Sequence, residues 1–232
     1  MFAKGYTNIR AMIETQYGIL SQMITDIAYR YQAQLKETEE ENDRFTQENS
    51  DRDYDVYHSI LNSLSDVEER SYCLMTESRK ILFCAISSYY ETMLNEIVLY
   101  YKIANNATQP SQILDSILKA YKIKYGEEIT CREENVVYAN SIYRLLRNLY
   151  MHGSLSKEKD RCTLFNYAGV THGLKAVGID TIVITDNAFL YKALDCFKTI
   201  LVCVDDAFTQ QKYVENRELP KSTQKVLKIK GY

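Results

Sequence analysis

An all-α helical bundle with one small β-hairpin inserted before the last long helix is the fold class the sequence predicts, on three observations. The 232 residues include only two prolines and eight glycines, few breakers for a chain of this length. Apolar residues recur at steps of three and four over long stretches, the period of a half-buried helix. Residues rich in Thr, Val, Ile and aromatics gather only in the C-terminal third, after which a helical pattern resumes.

Ile9, Ile13, Leu20, Ile24, Ile27, Tyr31 and Leu35 lie on one face of a helix expected over about residues 5 to 38. Between Glu37 and Asp55 nine acidic residues meet only Arg44 and Arg52 and the periodicity stops, which predicts a solvated helix end and linker. Leu74, Ile81, Leu82, Ala85, Ile86, Tyr89, Met93, Leu94, Ile97, Val98 and Tyr101 mark a second helix over about residues 66 to 104. Its apolar face is wide enough to make it central. Pro110 opens a shorter helix with Ile113, Ile117, Leu118 and Tyr121, and Gly126 closes that segment.

Glu133 to Met151 follows as a helix, with Tyr138, Ile142, Leu145, Leu146 and Leu149 grouped on one face at about 100° per residue. Gly153 is its natural stop. Arg161 to Tyr167 and Thr181 to Thr185 read as the hairpin strands, with Gly169, Gly173 and Gly178 between them. From Asn187 to about Val214 the residues Leu190, Leu194, Phe197, Leu201, Val204 and Phe208 restore helical spacing. The expected division is an N-terminal helix and acidic linker over 1–65, a helical bundle over 66–214, and a mildly basic tail over 215–232 that carries Arg217, Lys221, Lys225, Lys228 and Lys230.

A net charge of −3 argues against coating nucleic acid by bulk electrostatics and leaves room for a focused basic site. The six cysteines form no CxxC pair and no regular framework, which predicts reduced, buried thiols. No apolar leader and no run of about eighteen apolar residues is present, so a soluble cytoplasmic protein without a membrane partner is expected. No cofactor or metal is expected either. Gly173 and Gly178 have the spacing of half a phosphate loop, but Ile179-Asp180 replaces the Lys-Ser/Thr that would hold nucleotide and magnesium. Adjacent carboxylates such as Asp205-Asp206 point to different sides of a helix and do not make a two-carboxylate site.

The run Arg147-Asn148-Leu149-Tyr150-Met151-His152-Gly153 sets an arginine, an amide and a histidine at one helix end. Those are the groups that break RNA without a metal. Histidine titrates near neutrality and can take a proton from a ribose 2′-hydroxyl, while arginine clamps charge growing on phosphate. Asn148 and His152 are helical neighbours, whereas Arg147 stands off them on the wheel.

This run resembles the motif of HEPN-domain proteins, an arginine followed by four to six residues and a histidine, with a polar residue after the arginine and glycine after the histidine. Arg147, Asn148, His152 and Gly153 match those positions. The wider pattern over residues 66–214, with Tyr89-Tyr90-Glu91 on the central helix, is similar too. The resemblance implies a homodimer in which two motifs face each other to make one ribonuclease site, acting on an RNA substrate and leaving a 2′,3′-cyclic phosphate. It assigns proton transfer to His152, phosphorane stabilisation to Arg147 and orientation to Asn148; from their positions, Arg144 one turn earlier is expected to hold the flanking backbone, and Tyr150 beside the motif is the tyrosine expected to stack on a base.

The resemblance also implies a role in antiviral defence or as a toxin restrained by an antitoxin or other regulatory protein. Ser154 stands where a branch of that family paired with nucleotidyltransferases carries tyrosine, which argues against such a partner. The competing readings are a noncatalytic module that binds RNA, nucleotide or protein through the same groove, and a helical interaction protein assembling through Ile9 to Leu35.

Overall fold

The computed structural model describes residues 8–48, 54–178 and 180–218, and among them the fold is all-α with a single two-stranded hairpin. The helices are α1 (Ile9–Glu48), α2 (Tyr54–Tyr100), α3 (Pro110–Tyr125), α4 (Glu133–Val137), α5 (Arg144–His152), α6 (Glu158–Val170) and α7 (Asn187–Glu218). A π-helical segment, Tyr138–Tyr143, links α4 to α5, and strands β1 (Leu174–Val177) and β2 (Thr181–Ile184) precede α7. No helix among the described residues is long and apolar enough to cross a membrane.

The described residues form two compact units, one from residues 8–17, 88–143 and 195–218, the other from 18–48, 54–87, 144–178 and 180–194. In the first, Tyr90 stacks on Phe197 with ring centres 4.3 Å apart, and Tyr143 meets the same ring edge-on. Phe208 is held between Tyr101 and Tyr121. Ile9 and Ile13, buried as their spacing predicts, complete this core, and Arg10 pairs with Asp206 at 2.9 Å. Asp205, by contrast, is buried and accepts a 2.7 Å bond from the Tyr101 hydroxyl. The adjacent carboxylates thus face different surroundings, as helix geometry requires.

In the second unit, α1 and α2 run antiparallel: the Tyr31 hydroxyl meets Ser78 at 3.0 Å, and Asn42 donates to Glu68. Small polar residues Thr38 and Ser71 are buried in this stretch. Helix α1 therefore continues through the acidic segment to Glu48, rather than ending near residue 38, and α2 begins at Tyr54 rather than 66. Glu, Lys and Gln are strong helix formers and no Gly or Pro interrupts them, so the acidic run stays helical. Residues 49–53 of the expected linker and 219–232 of the expected basic tail lie outside the described residues. Arg217 belongs to α7.

One expected strand is a helix. Residues 161–167 form part of α6, in which Leu164 and Ala168 are buried at i, i+4. Glu158 and Asp160 sit in its first turn, where the helix dipole favours carboxylates, and Glu158 pairs with Arg161 one turn on. These local terms outweigh the strand preference of Thr163, Phe165 and Tyr167. The hairpin is instead β1 paired with β2, Leu174 opposite Ile184 and Val177 opposite Thr181. Gly173, at φ +86°, leads into it, and a Cβ there would fall 2.9 Å from that of Phe189. Both glycines of the false phosphate loop therefore serve the hairpin.

Arg79, 8% exposed, donates from Nε to Asn187 Oδ1 at 2.7 Å and from Nη1 to the Ile184 carbonyl at 3.5 Å. Replacing Arg79 with Ala strands the Asn187 acceptor and leaves a hole. The expected cost is about 2–3 kcal/mol of unfolding free energy, read from urea denaturation.

Asp205 supplies a pH-dependent test. Burial raises its carboxyl above the ordinary value more than the Tyr101 bond lowers it. The folded chain therefore binds more protons than the unfolded one in the window just above the ordinary carboxylate pKa. Stability falls as pH rises through that window and stays lower beyond it. Asp205→Asn removes the penalty, so its urea midpoint should exceed the wild-type value at pH 7 and match it at pH 3.

Candidate functional site

The helix bearing the Arg-Asn-x-x-x-His run is not uniform. Over Tyr138–Tyr143 the turn widens to the π form, and α geometry restarts at Arg144. The wider turn shifts the buried stripe by one residue at its start: Ala139 is buried at 5% exposure while Tyr138, which the wheel places in the stripe, is only half-buried. Downstream, Leu145, Leu146 and Leu149 are buried as expected.

The opposite face of α5 carries Arg144, Arg147, Asn148, Met151 and His152, spaced i, i+3, i+4, i+7 and i+8, which is one continuous side of a helix. The first three are half-buried and the last two exposed. The helix stays regular to its end, where Gly153, at φ +73°, donates its N–H to the Leu149 carbonyl at 2.8 Å. Asn148 and His152 are thus brought together on one row. Arg147 and His152 stand at opposite rims of the face, separated by about 140° around the axis. An imidazole at a helix C-terminus also complements the dipole, whatever its chemistry.

Arg147 reaches toward α2. Its Nε is buried, and its charge acts on the Cys84 thiol, which burial raises and Arg147 and Lys80 lower. Tyr150 is committed to α2 as well: its ring meets Phe83 edge-on at 5.9 Å, with Lys80 Nζ 5.8 Å from the ring centre. Burial pushes its phenol pKa up, so the hydroxyl stays protonated. The ring is therefore a packing element here and does not stand out as a platform for a base.

Two shallow cavities lie beside the end of α5. One of about 190 Å³ is lined by Glu77, Lys80, Tyr150 and residues of β2, among others. Its neighbour, about 170 Å³, is lined by Ser154, Arg161 and Phe165, and Gly153 and Asp180 border both. Arg161 is balanced by Glu158 and Asp180. Neither of these two cavities is lined by Arg147, Asn148 or His152. Lys80 and Arg161 escaped sequence reasoning because they come from distant segments, and Arg161 was placed on a strand.

Among the described residues no group of three His, Cys, Asp or Glu could hold a metal ion. His58 on α2 is exposed, and His172 sits 3.7 Å from Asp186 in the turn before β1.

The Tyr150 hydroxyl is buried with no hydrogen-bond partner among the described residues. Tyr150→Phe removes a polar group that gains nothing from burial, so the variant should melt at the wild-type temperature or up to several degrees higher in a thermal scan. Compared with protein-family models, with curated proteins and with solved structures, the chain matches none.

Proposed function

We propose that the protein is a metal-independent endoribonuclease of HEPN type whose site is completed when a second copy of the chain brings its α5 against the first. The observation that carries this reading is the polar face of α5, on which Arg147, Asn148 and an exposed His152 lie together. A phosphate resting on one copy meets His152 and Asn148 on one row and Arg147 only across the rim. Two copies related by a twofold axis place the arginine of each near the histidine of the other.

In that arrangement His152 takes the proton from the ribose 2′-hydroxyl, whose oxygen attacks the adjacent phosphorus. The second copy's imidazolium gives a proton to the leaving 5′-oxygen. Arg147 stabilises charge on the pentacoordinate phosphorane through charge-assisted hydrogen bonds. Asn148 orients the imidazole or the phosphate with its amide, and Arg144, one turn earlier, holds the flanking backbone. The products are a 2′,3′-cyclic phosphate and a 5′-hydroxyl. Cutting of this kind fits a role in antiviral defence or as a toxin under the control of an antitoxin or regulatory protein.

The separation of Arg147 from His152 within one chain favours a second reading, in which the face binds RNA, nucleotide or a protein without cutting. Cleavage of end-labelled single-stranded RNA and tRNA in excess EDTA decides between them. Wild type should leave 2′,3′-cyclic ends, and Arg147→Ala and His152→Ala should each lose at least about 100-fold in rate. RNA that is bound but left whole by wild type, with binding retained in His152→Ala, would establish the noncatalytic reading instead.

A further inference from the structure

Cys131 and Cys203 stand with their sulfurs 3.4 Å apart although 72 positions separate them in the chain. Cys131 lies in the irregular segment just upstream of α4, and Cys203 lies within α7. Both are half-buried in the first unit. The Cys131 thiol donates to Cys203 Sγ, and the Cys203 thiol donates to the Thr130 carbonyl at 3.5 Å. Seven residues earlier on α7, Cys196 is buried and directs its S–H to the Asn135 carbonyl at 3.3 Å. With no metal-binding group of three among the described residues, the chemistry open to this pair is that of a dithiol.

We propose that Cys131 and Cys203 are a dithiol site that low-molecular-weight disulfides of the glutathione disulfide class oxidise to an intramolecular disulfide. Cys203, which accepts the Cys131 S–H bond, attacks first: it gives its proton to solvent and its thiolate takes one sulfur of the oxidant, forming a mixed disulfide and releasing one thiolate. Cys131 then gives its proton to solvent and its sulfur attacks Cys203 Sγ, releasing the second thiolate. The protein loses two electrons and two protons, and the oxidant becomes two thiols.

The order follows from the surroundings. Burial pushes the Cys131 thiol up, and the S–H bond it donates to Cys203 holds its proton in place, so it is the resolving partner. Bond formation brings the sulfurs to about 2.05 Å, an approach of little more than an ångström. The irregular segment bearing Cys131 can supply that movement while α7 holds Cys203 in place.

A cross-link closing so long a loop should raise the melting temperature by about 5–15 °C. The test uses the full chain, treated with glutathione disulfide or with dithiothreitol, alkylated, digested without reduction and mapped by mass spectrometry. The expected result is a linked peptide joining Cys131 to Cys203, absent in Cys203→Ala, together with a rise in melting temperature that dithiothreitol reverses. Full alkylation of both thiols after oxidation, a persistent mixed disulfide at either, or pairing through Cys196 overturns the proposal. The wild-type map decides by itself, so a poorly folded variant does not obscure the outcome.

Discussion

The buried guanidinium of Arg79 is the constraint on which the unit carrying the candidate site depends. Taking an arginine out of water costs several kcal/mol unless fixed acceptors replace the lost hydration. Here the acceptors are the Asn187 side chain and the Ile184 carbonyl, with the Asp186 carboxylate close enough to act on its charge. Asn187 in turn donates to the Ile24 carbonyl, so α1, α2, the end of β2 and the start of α7 meet at one polar node. Asp186 caps α7 by accepting the Ala188 N–H at 2.8 Å. Once that corner is set, β2 must lie where it walls the cavity beside Tyr150 and Lys80. The surroundings of the α5 terminus are therefore fixed by residues that make no part of its polar face.

Twenty tyrosines and no tryptophan impose a second constraint, because each buried ring brings a hydroxyl that needs a partner. Several find one on a neighbouring helix: Tyr89 donates to the Ile13 carbonyl, Tyr17 to Asp195 and Tyr101 to Asp205. These bonds fix the rotational phase of the helices as well as their distance, since a hydroxyl must meet one particular acceptor while an aliphatic surface is indifferent to small rotations. Tyr90 in the first unit differs. Its hydroxyl is sealed without a partner among the described residues, and its near-parallel stack on Phe197 offsets part of that cost.

The helical framework was legible in the sequence because it rests on local periodicity. The buried residues Ile9, Ile13, Leu20 and Ile24, the Pro110 start and the Gly126 stop all follow from spacing and cap chemistry. Failures came where a local signal was ambiguous or silent. Thr163, Phe165 and Tyr167 favour strands one by one, yet Leu164 and Ala168 supply the helical period that tertiary burial selects. The acidic run looked like a linker because charge hides periodicity, although its residues are helix formers. The π segment carries no simple sequence signature, and its phase shift moved Tyr138 out of the buried stripe. At the candidate site the row Asn148–His152 was visible from spacing alone. The packing of Tyr150 on Phe83, and of Lys80 over its ring, was not, because nothing in α5 encodes what α2 places opposite it.

That distinction bears on what the α5 face can do by itself. General acid–base cleavage of RNA requires a proton acceptor at the 2′-oxygen, a donor at the 5′-oxygen and positive charge at the equatorial phosphate oxygens, all within hydrogen-bond reach at once. A helix is about 10 Å across with its side chains, and groups some 140° apart on it cannot converge on one phosphate without bending toward each other. Arg147 leans the other way, with its Nε buried and its charge felt at Cys84 on α2. In one copy, then, the imidazole is open to solvent while the guanidinium is partly withdrawn, and a phosphate between them would remain hydrated and weakly held. A second polar surface laid over the first changes both terms: it supplies the missing donor from the far side and displaces the water that screens every charge in the site. The exposed Met151, 59% accessible at the middle of the polar face, gains from the same closure, because an apolar side chain surrounded by polar neighbours is stabilised when another surface covers it. The proposed composite site thus rests on how one short helix divides its residues between core and surface.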